Sequence, residues 1–384
     1  MVHATAGDWF RGFGRAPRIM GLDVARALAI LGMIGAHLGE VGDRLDPSDP
    51  STWSSLVHGH PSVLFAVLAG VSVALMTGAQ AGPPPERLPA LRLGLVGRGA
   101  TIFVIGLLLE LLHTPIAIIL TLYGVLYIAL IPALRWRART LLVVAGALAL
   151  GGPAVLALVT ALGLGPSGQG VAFALYGGYP LTVWLVYALA GMALGRLGIG
   201  SIRTAGWMLG AGAASVIAGH ALGAVGRSVG VRSEDAFDPR DSATGFTSAG
   251  WDSYPDRFRE MEPGGAVLRA LLAVDPHSGG TADILAAGGV AVMVIAACVL
   301  ASESLRAVLL PFAALGSMPL TAYTAHVVSY VVIASPAGHI SDNLIWLCSS
   351  VVLLALTTLW SMAEGRGPLE RLTARIARAA ASAG

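Results

Sequence analysis

Asp23, Arg26 and His37 stand in the first long apolar stretch of the chain, GLDVARALAILGMIGAHL, with ten residues between the arginine and the histidine. Read as an α-helix at about 100° and 1.5 Å per residue, this spacing brings His37 back to within about 20° of Arg26. The two then lie roughly 16 Å apart along the axis, and Asp23 sits one turn before Arg26 on the same side. A guanidinium inside a bilayer is costly unless it is paired or faces a wet cavity. It also matches phosphate oxygens in a bidentate way, whereas imidazole takes and releases a proton near neutral pH. One helix face therefore combines an oxyanion-binding group at one depth with a proton-transfer group at another.

Further polar groups sit among apolar neighbours. Tyr323, His326 and Tyr330 recur at helical spacing in LGSMPLTAYTAHVVSY, a stripe that suits either hydrogen bonds between helices or a cavity wall. Glu110, close to His113, is expected to be neutralised by a histidine or an arginine. The pair His58 and His60 has a metal-ligand spacing, but no further cluster completes a site, so no metal is expected.

The elements that must position these groups are membrane helices. The chain is 55% hydrophobic and 12% charged, and all 24 of its basic residues are arginine. Such values belong to an all-α polytopic membrane bundle. Apolar segments long enough to cross fall at 20–38, 62–79, 97–113, 115–134, 140–162, 180–197, 204–225, 283–302, 307–333 and 343–362. About ten transmembrane helices in a single membrane domain over 1–384 are thus expected. The first carries Asp23 and Arg26 and lacks a small-residue cleavage site, so it reads as an uncleaved span.

Arginines sort to one side: Arg11, Arg15 and Arg18, Arg87 and Arg92, Arg135 to Arg139, Arg196, Arg203, Arg306, and the tail. The opposite loops hold most of the acids and histidines. The positive-inside rule then makes both termini cytoplasmic. A long extracytoplasmic loop is expected over 226–282, with an apolar piece near 265–273 that is too short to span and lies on the surface or caps the bundle. The tail, 363–384, reads as a basic amphipathic helix suited to an anionic leaflet. Cys298 and Cys348 read as small core residues, and Gly191/Gly195 and Gly219/Gly223 as points of close helix approach.

The chain resembles the YeiB-like and heparan-α-glucosaminide N-acetyltransferase-like membrane proteins of the transmembrane acyltransferase superfamily. The resemblance is carried by RIMGLDVARALAILGMIGAH and WSSLVHGHPSVLFAVLAGVSVAL. It continues through ILTLYGVLYIALIPAL, GYPLTVWLVYALAGMALGR, PHSGGTADIL, LGSMPLTAYTAH and the closing GRGPLE, in that order. Arg26 and His37 also reproduce the Arg-(ten residues)-His pattern of the related acyltransferase-3 proteins. The resemblance implies acyl transfer, with acetyl as the favoured group, from cytoplasmic acyl-coenzyme A to a hydroxyl or amine outside. A cell-envelope sugar is the default acceptor, and the cytoplasmic (inner) membrane the expected location.

Within that frame His37, His60 and His58 are the candidate bases, and Arg26 and Arg98 the candidate donor-binding residues. Asp23, Tyr123, Trp184, Tyr323 and His326 are candidate channel residues. The chain lacks the His-x-x-Trp-Asn-Gly stretch that carries the catalytic histidine in heparan acetyltransferases. The choice between His37 and the His58/His60 pair therefore stays open, as does the acceptor. Lipid is the expected surrounding, nucleic acid is not a partner, and a homodimer is compatible with the sequence. The rival reading is a proton-coupled transporter or flippase built on the same ionisable groups; a scaffold without activity leaves the costly polar face unexplained.

Overall fold

The computed structural model describes residues 6–42, 46, 48–57, 59–161, 180–231, 262–334 and 338–382. Among the described residues all regular structure is helical. In chain order the helices are α1 (Ala6–Gly12), α2 (Met20–Leu38), α3 (His60–Met76), α4 (Leu88–Glu110) and α5 (Leu120–Ala129). There follow α6 (Ala138–Ala161), α7 (Leu181–Arg196), α8 (Ile202–Ser228), α9 (Pro263–Leu272) and α10 (Thr281–Ser304). The last four are α11 (Arg306–Gly316), α12 (Pro319–Ala334), α13 (Asn343–Ala363) and α14 (Pro368–Ser382).

Six of these are long and apolar enough to cross a membrane, namely α2, α4, α6, α8, α10 and α13. The expected spans 62–79, 115–134 and 180–197 are shorter than anticipated: α3, α5 and α7 have 17, 10 and 16 residues. Each is trimmed by local chemistry. Pro61 fits the first turn of α3 but Gly78 beyond its end takes positive φ, and Gly198 does the same after α7. His113 at φ 50° and the following Thr114–Pro115 keep residues 111–119 out of helix, so α5 starts late.

The expected ninth span, 307–333, is two helices. α11 and α12 are inclined at 73° across Ser317–Met318. Pro319 opens α12, and a proline both lacks an N–H and disfavours helix in the residue before it. Where α11 ends, Gly316 lies against the backbone of Asp23, and a Cβ there would collide with the Asp23 carbonyl. The break is thus held beside the polar turn of α2.

At the centre, α2 packs against α3, α10, α11 and α13. α3 and α7 touch backbone to backbone at Gly70 and Gly191, where any side chain would meet the carbonyl of Ala188 or Val67. Gly219 makes the same kind of contact with Ala282 of α10. On the outside, α6, α8 and α13 turn most of their apolar residues outward, as lipid-facing helices do. Cys348, expected in the core, lies exposed on α13 for that reason, whereas Cys298 is buried. Glu110 is likewise exposed at the end of α4, with no ion pair among the described residues. The apolar piece near 265–273 is α9, which packs on α6 and α8.

The basic tail is not a free surface helix. α14 lies along α4, with Ala377 and Ala380 against Gly94 and Gly97. Its Glu370 accepts from the backbone N–H of Leu320 at 2.7 Å and of Thr321 at 3.1 Å, and from the Thr321 hydroxyl at 2.5 Å. A carboxylate on the unpaired N–H groups of a helix start is a cap supplied from another helix. Glu370→Ala is expected to cost about 1–2 kcal/mol, the usual value of such a cap. Lower thermal stability in detergent and faster proteolysis behind residue 363 would register it; unchanged values on both would show the cap to be idle.

Candidate functional site

Two cavities open at opposite ends of α3. The first, about 720 Å³, is lined by Arg18, Asp23 and Arg26 at the start of α2, Ser72 and Met76 near the end of α3, and Arg98 of α4. Tyr123 and Tyr127 of α5 and Arg366 and Glu370 at the tail complete its polar wall. Four guanidiniums thus face two carboxylates. Asp23 is buried and accepts from the Arg18 Nε–H and, at 2.7 Å, from Arg26 Nη1. Arg26 also donates from Nη2 to the Ser72 hydroxyl at 2.9 Å. Glu370 is spent on the start of α12.

Arg26 is therefore fixed in a network with Asp23, Arg18 and Ser72 rather than held free for a ligand. Arg98, with its guanidinium 6.0 Å from the Tyr127 ring centroid, and Arg366 carry no ion pair among the described residues. They supply the positive charge the cavity has to spare. Arg18 and Arg366 were not singled out by sequence; a set of arginines expected on one side of the membrane does not say which of them turn toward a cavity.

The second cavity, about 430 Å³, lies at the other end of α3. It is lined by His60, by Trp184 and Tyr187 of α7, by His220 of α8, and by His277 and Asp283 around the start of α10. Asp283 is buried, and its Oδ2 accepts from the Gly279 N–H at 3.2 Å. His60 and Trp184 were expected at the site and are in this chamber. His277, Tyr187 and Asp283 were missed, although the segment PHSGGTADIL and the placement of Asp283 at the first residue of a span were available signals.

His37 lies in neither large cavity. Together with Tyr323, Ser62, Gly59 and His277 it lines a narrow pocket of about 40 Å³. Gly59 and His277 are shared with the histidine chamber. On the other side, the Tyr123 hydroxyl, in the wall of the arginine cavity, donates to the Ser62 carbonyl at 2.9 Å. The His37 pocket is thus flanked by both cavities. His37 Nδ1 lies 3.0 Å from His326 Nε2, with the two rings parallel. The channel candidates therefore divide: Asp23 and Tyr123 line the arginine cavity, Trp184 the histidine chamber and Tyr323 the His37 pocket, while His326 is buried behind His37 and lines none of the three. His58 lies outside the described residues. Among the described residues no cluster of three or more His, Cys, Asp or Glu side chains could hold a metal ion.

One of the arginines expected on the inner side has a role that the sequence hid. Arg196, at the end of α7, is buried and donates from Nη1 to the carbonyls of Ala79 at 2.5 Å and Thr77 at 3.2 Å. Its Nη2 donates to the Leu134 carbonyl at 2.8 Å and the Thr77 hydroxyl at 3.0 Å. It clasps the ends of α3 and α7 and the turn after α5.

Comparison with known sequences bears on this architecture. No curated protein and no solved structure matches the chain. The family model described as heparan-alpha-glucosaminide N-acetyltransferase, catalytic, matches residues 18–227, more than half of the sequence. The matched stretch holds Arg18, Asp23, Arg26, His37, His60, Arg98, Tyr123 and Trp184, and leaves His277, Asp283, Tyr323 and His326 beyond it. A polytopic helix bundle carrying that match identifies the chain as a member of the heparan-alpha-glucosaminide N-acetyltransferase catalytic family, and so as a transmembrane acetyltransferase.

Proposed function

We propose that the protein transfers an acetyl group from cytoplasmic acetyl-coenzyme A to a hydroxyl or amine on the other side of the cytoplasmic membrane, with His37 as the general base. The observation that carries this reading is the placement of the His37 pocket between an arginine-rich cavity and a histidine-rich chamber at opposite ends of α3. Arginines concentrate on the cytoplasmic side by the positive-inside rule, which supports the orientation with both termini inside. The donor's phosphates would meet Arg98 and Arg366, while the Asp23–Arg26–Ser72 network shapes the wall. Its thioester arm would then extend toward Tyr123 and the His37 pocket.

The acceptor would enter the histidine chamber. Trp184 and Tyr187 offer aromatic faces and Asp283 a hydrogen-bonding carboxyl, a combination suited to a sugar of the cell envelope. In the transfer step His37 takes the proton of the acceptor hydroxyl or amine as that atom bonds to the acetyl carbonyl carbon. The bond from carbon to sulfur breaks, and the thiol departs as coenzyme A, reprotonated from the imidazolium. Holding both reactants beside His37 in a water-poor site contributes through proximity, which in favourable cases reaches roughly 7–11 kcal/mol.

The test uses purified protein in sealed vesicles, with labelled acetyl-coenzyme A supplied on one face and a panel of amino sugars and hydroxyl sugars on the other. Acetylated acceptor formed only with donor on the arginine face supports the proposal; solute uptake without acetyl consumption would overturn it. In the same assay Arg98→Ala is expected to raise the donor KM about 10- to 100-fold, the worth of one charge-assisted contact of roughly 1.5–3 kcal/mol. The acceptor KM should stay within about twofold. Equal effects on both substrates would remove Arg98 from the donor site.

A further inference from the structure

We propose that His326 is the positioning residue of the catalytic histidine: it accepts a hydrogen bond from His37 Nδ1–H and so leaves the Nε2 lone pair of His37 turned to the reaction pocket. The inference rests on the reading of His37 as general base. Four observations carry it. The Nδ1-to-Nε2 distance of 3.0 Å with parallel rings is a good in-plane hydrogen bond between imidazoles. His326 is 3% exposed, whereas His37 is only partly buried and lines the pocket. One ring of the pair is therefore packed and the other is presented.

The third observation is that His326 Nδ1 has no hydrogen-bond partner among the described residues. No competing bond dictates which of its nitrogens carries the proton, so His326 can hold it on Nδ1 and offer Nε2 as an acceptor. Neutral imidazole has one donor and one acceptor nitrogen, and the bond at one fixes the role of the other. Fourth, α12 is a rigid mount. It starts at the break after α11, its first turn is held by Glu370, and His326 follows two turns later. When His37 gains a proton on Nε2 during transfer, its Nδ1–H still donates to His326, which then supports the imidazolium without a fixed negative charge.

The experiment compares full-length wild type with His326→Ala, His326→Gln and His37→Ala in the acetyl-transfer assay, and records ¹⁵N spectra of histidine-labelled protein in detergent. Glutamine keeps an acceptor oxygen in place of Nε2; alanine does not. His326→Ala is expected to lower kcat about 10- to 100-fold with donor and acceptor KM unchanged, the size of one lost hydrogen bond to a group that becomes charged. His326→Gln is expected to recover most of that loss, and wild-type His37 to carry its neutral-state proton on Nδ1.

Near-normal kcat for His326→Ala, a glutamine variant no better than alanine, or a wild-type His37 protonated on Nε2 would each overturn the proposal. If His37→Ala itself retains turnover, the base assignment fails instead; an inactive His37→Ala beside an active His326→Ala removes only the role of His326.

Discussion

Alanine at position 37 is expected to lower acetyl turnover about 10²–10⁴-fold, the usual contribution of a positioned general base. Folding should be spared. His37 lies at the end of α2, is only partly buried, and contributes one hydrogen bond, to His326, whereas α2 is held by Met33, Ile34 and Leu38 in the core. Donor binding should also be spared, because His37 is not among the residues that line the arginine cavity and the two linings share no residue. The measurement is single-turnover transfer beside equilibrium binding of acetyl-coenzyme A. His60 is the reserve base: it begins α3 and faces the histidine chamber. Normal turnover in His37→Ala with an inactive His60→Ala would move the base to that chamber.

The largest effect on stability is expected at Arg196. Its guanidinium answers the carbonyls of Thr77, Ala79 and Leu134 and the Thr77 hydroxyl, all buried except the part-buried Ala79 contact. Arg196→Ala removes the donors and leaves the acceptors without replacement, a change of about 3 kcal/mol or more. That corresponds to a fall in Tm of several degrees for a chain of this size. Arg196→Lys keeps the charge, but a compact ammonium lacks the planar fork that reaches both Ala79 and Leu134. It should fall between wild type and alanine. Thermal unfolding in detergent decides; a Tm for Arg196→Ala equal to wild type would show that water satisfies those carbonyls instead.

Much of the architecture was legible because lipid imposes a simple code. Apolar runs marked α2, α4, α6, α8, α10 and α13, and the glycines at 191 and 219 marked close helix contacts. The break at Pro319 was readable in principle, since proline restricts the residue before it, but the run 307–333 is apolar enough on average to read as one span, and hydropathy does not register a bend. Site chemistry was legible where it is local. The spacing of Asp23, Arg26 and His37 gave one helix face without any fold.

What it did not give were partners from distant parts of the chain. Ser72 on Arg26, His326 on His37 and Glu370 on Leu320 are separated in sequence by 46, 289 and 50 residues. Nor did it separate the face into two compartments, because the walls that divide Arg26 from His37 come from α3 and α5. His277 escaped because it was read as part of a loop, and Asp283 because it was read as the first residue of a span, where polar residues are ordinary.

The brevity of α3 and α7 has a consequence for the permeability barrier. Seventeen residues of helix measure about 25 Å, less than the roughly 30 Å of hydrocarbon that the surrounding helices are long enough to span. Because a cavity opens at each end of α3, the material separating the two aqueous compartments along this line is thinner than the bilayer itself. Under the proposed function, the acetyl group would then cross that partition rather than the full thickness of the bilayer. Each reactant would descend from its own side into a shallow well, and the Tyr123–Ser62 contact beside the His37 pocket belongs to the partition that remains.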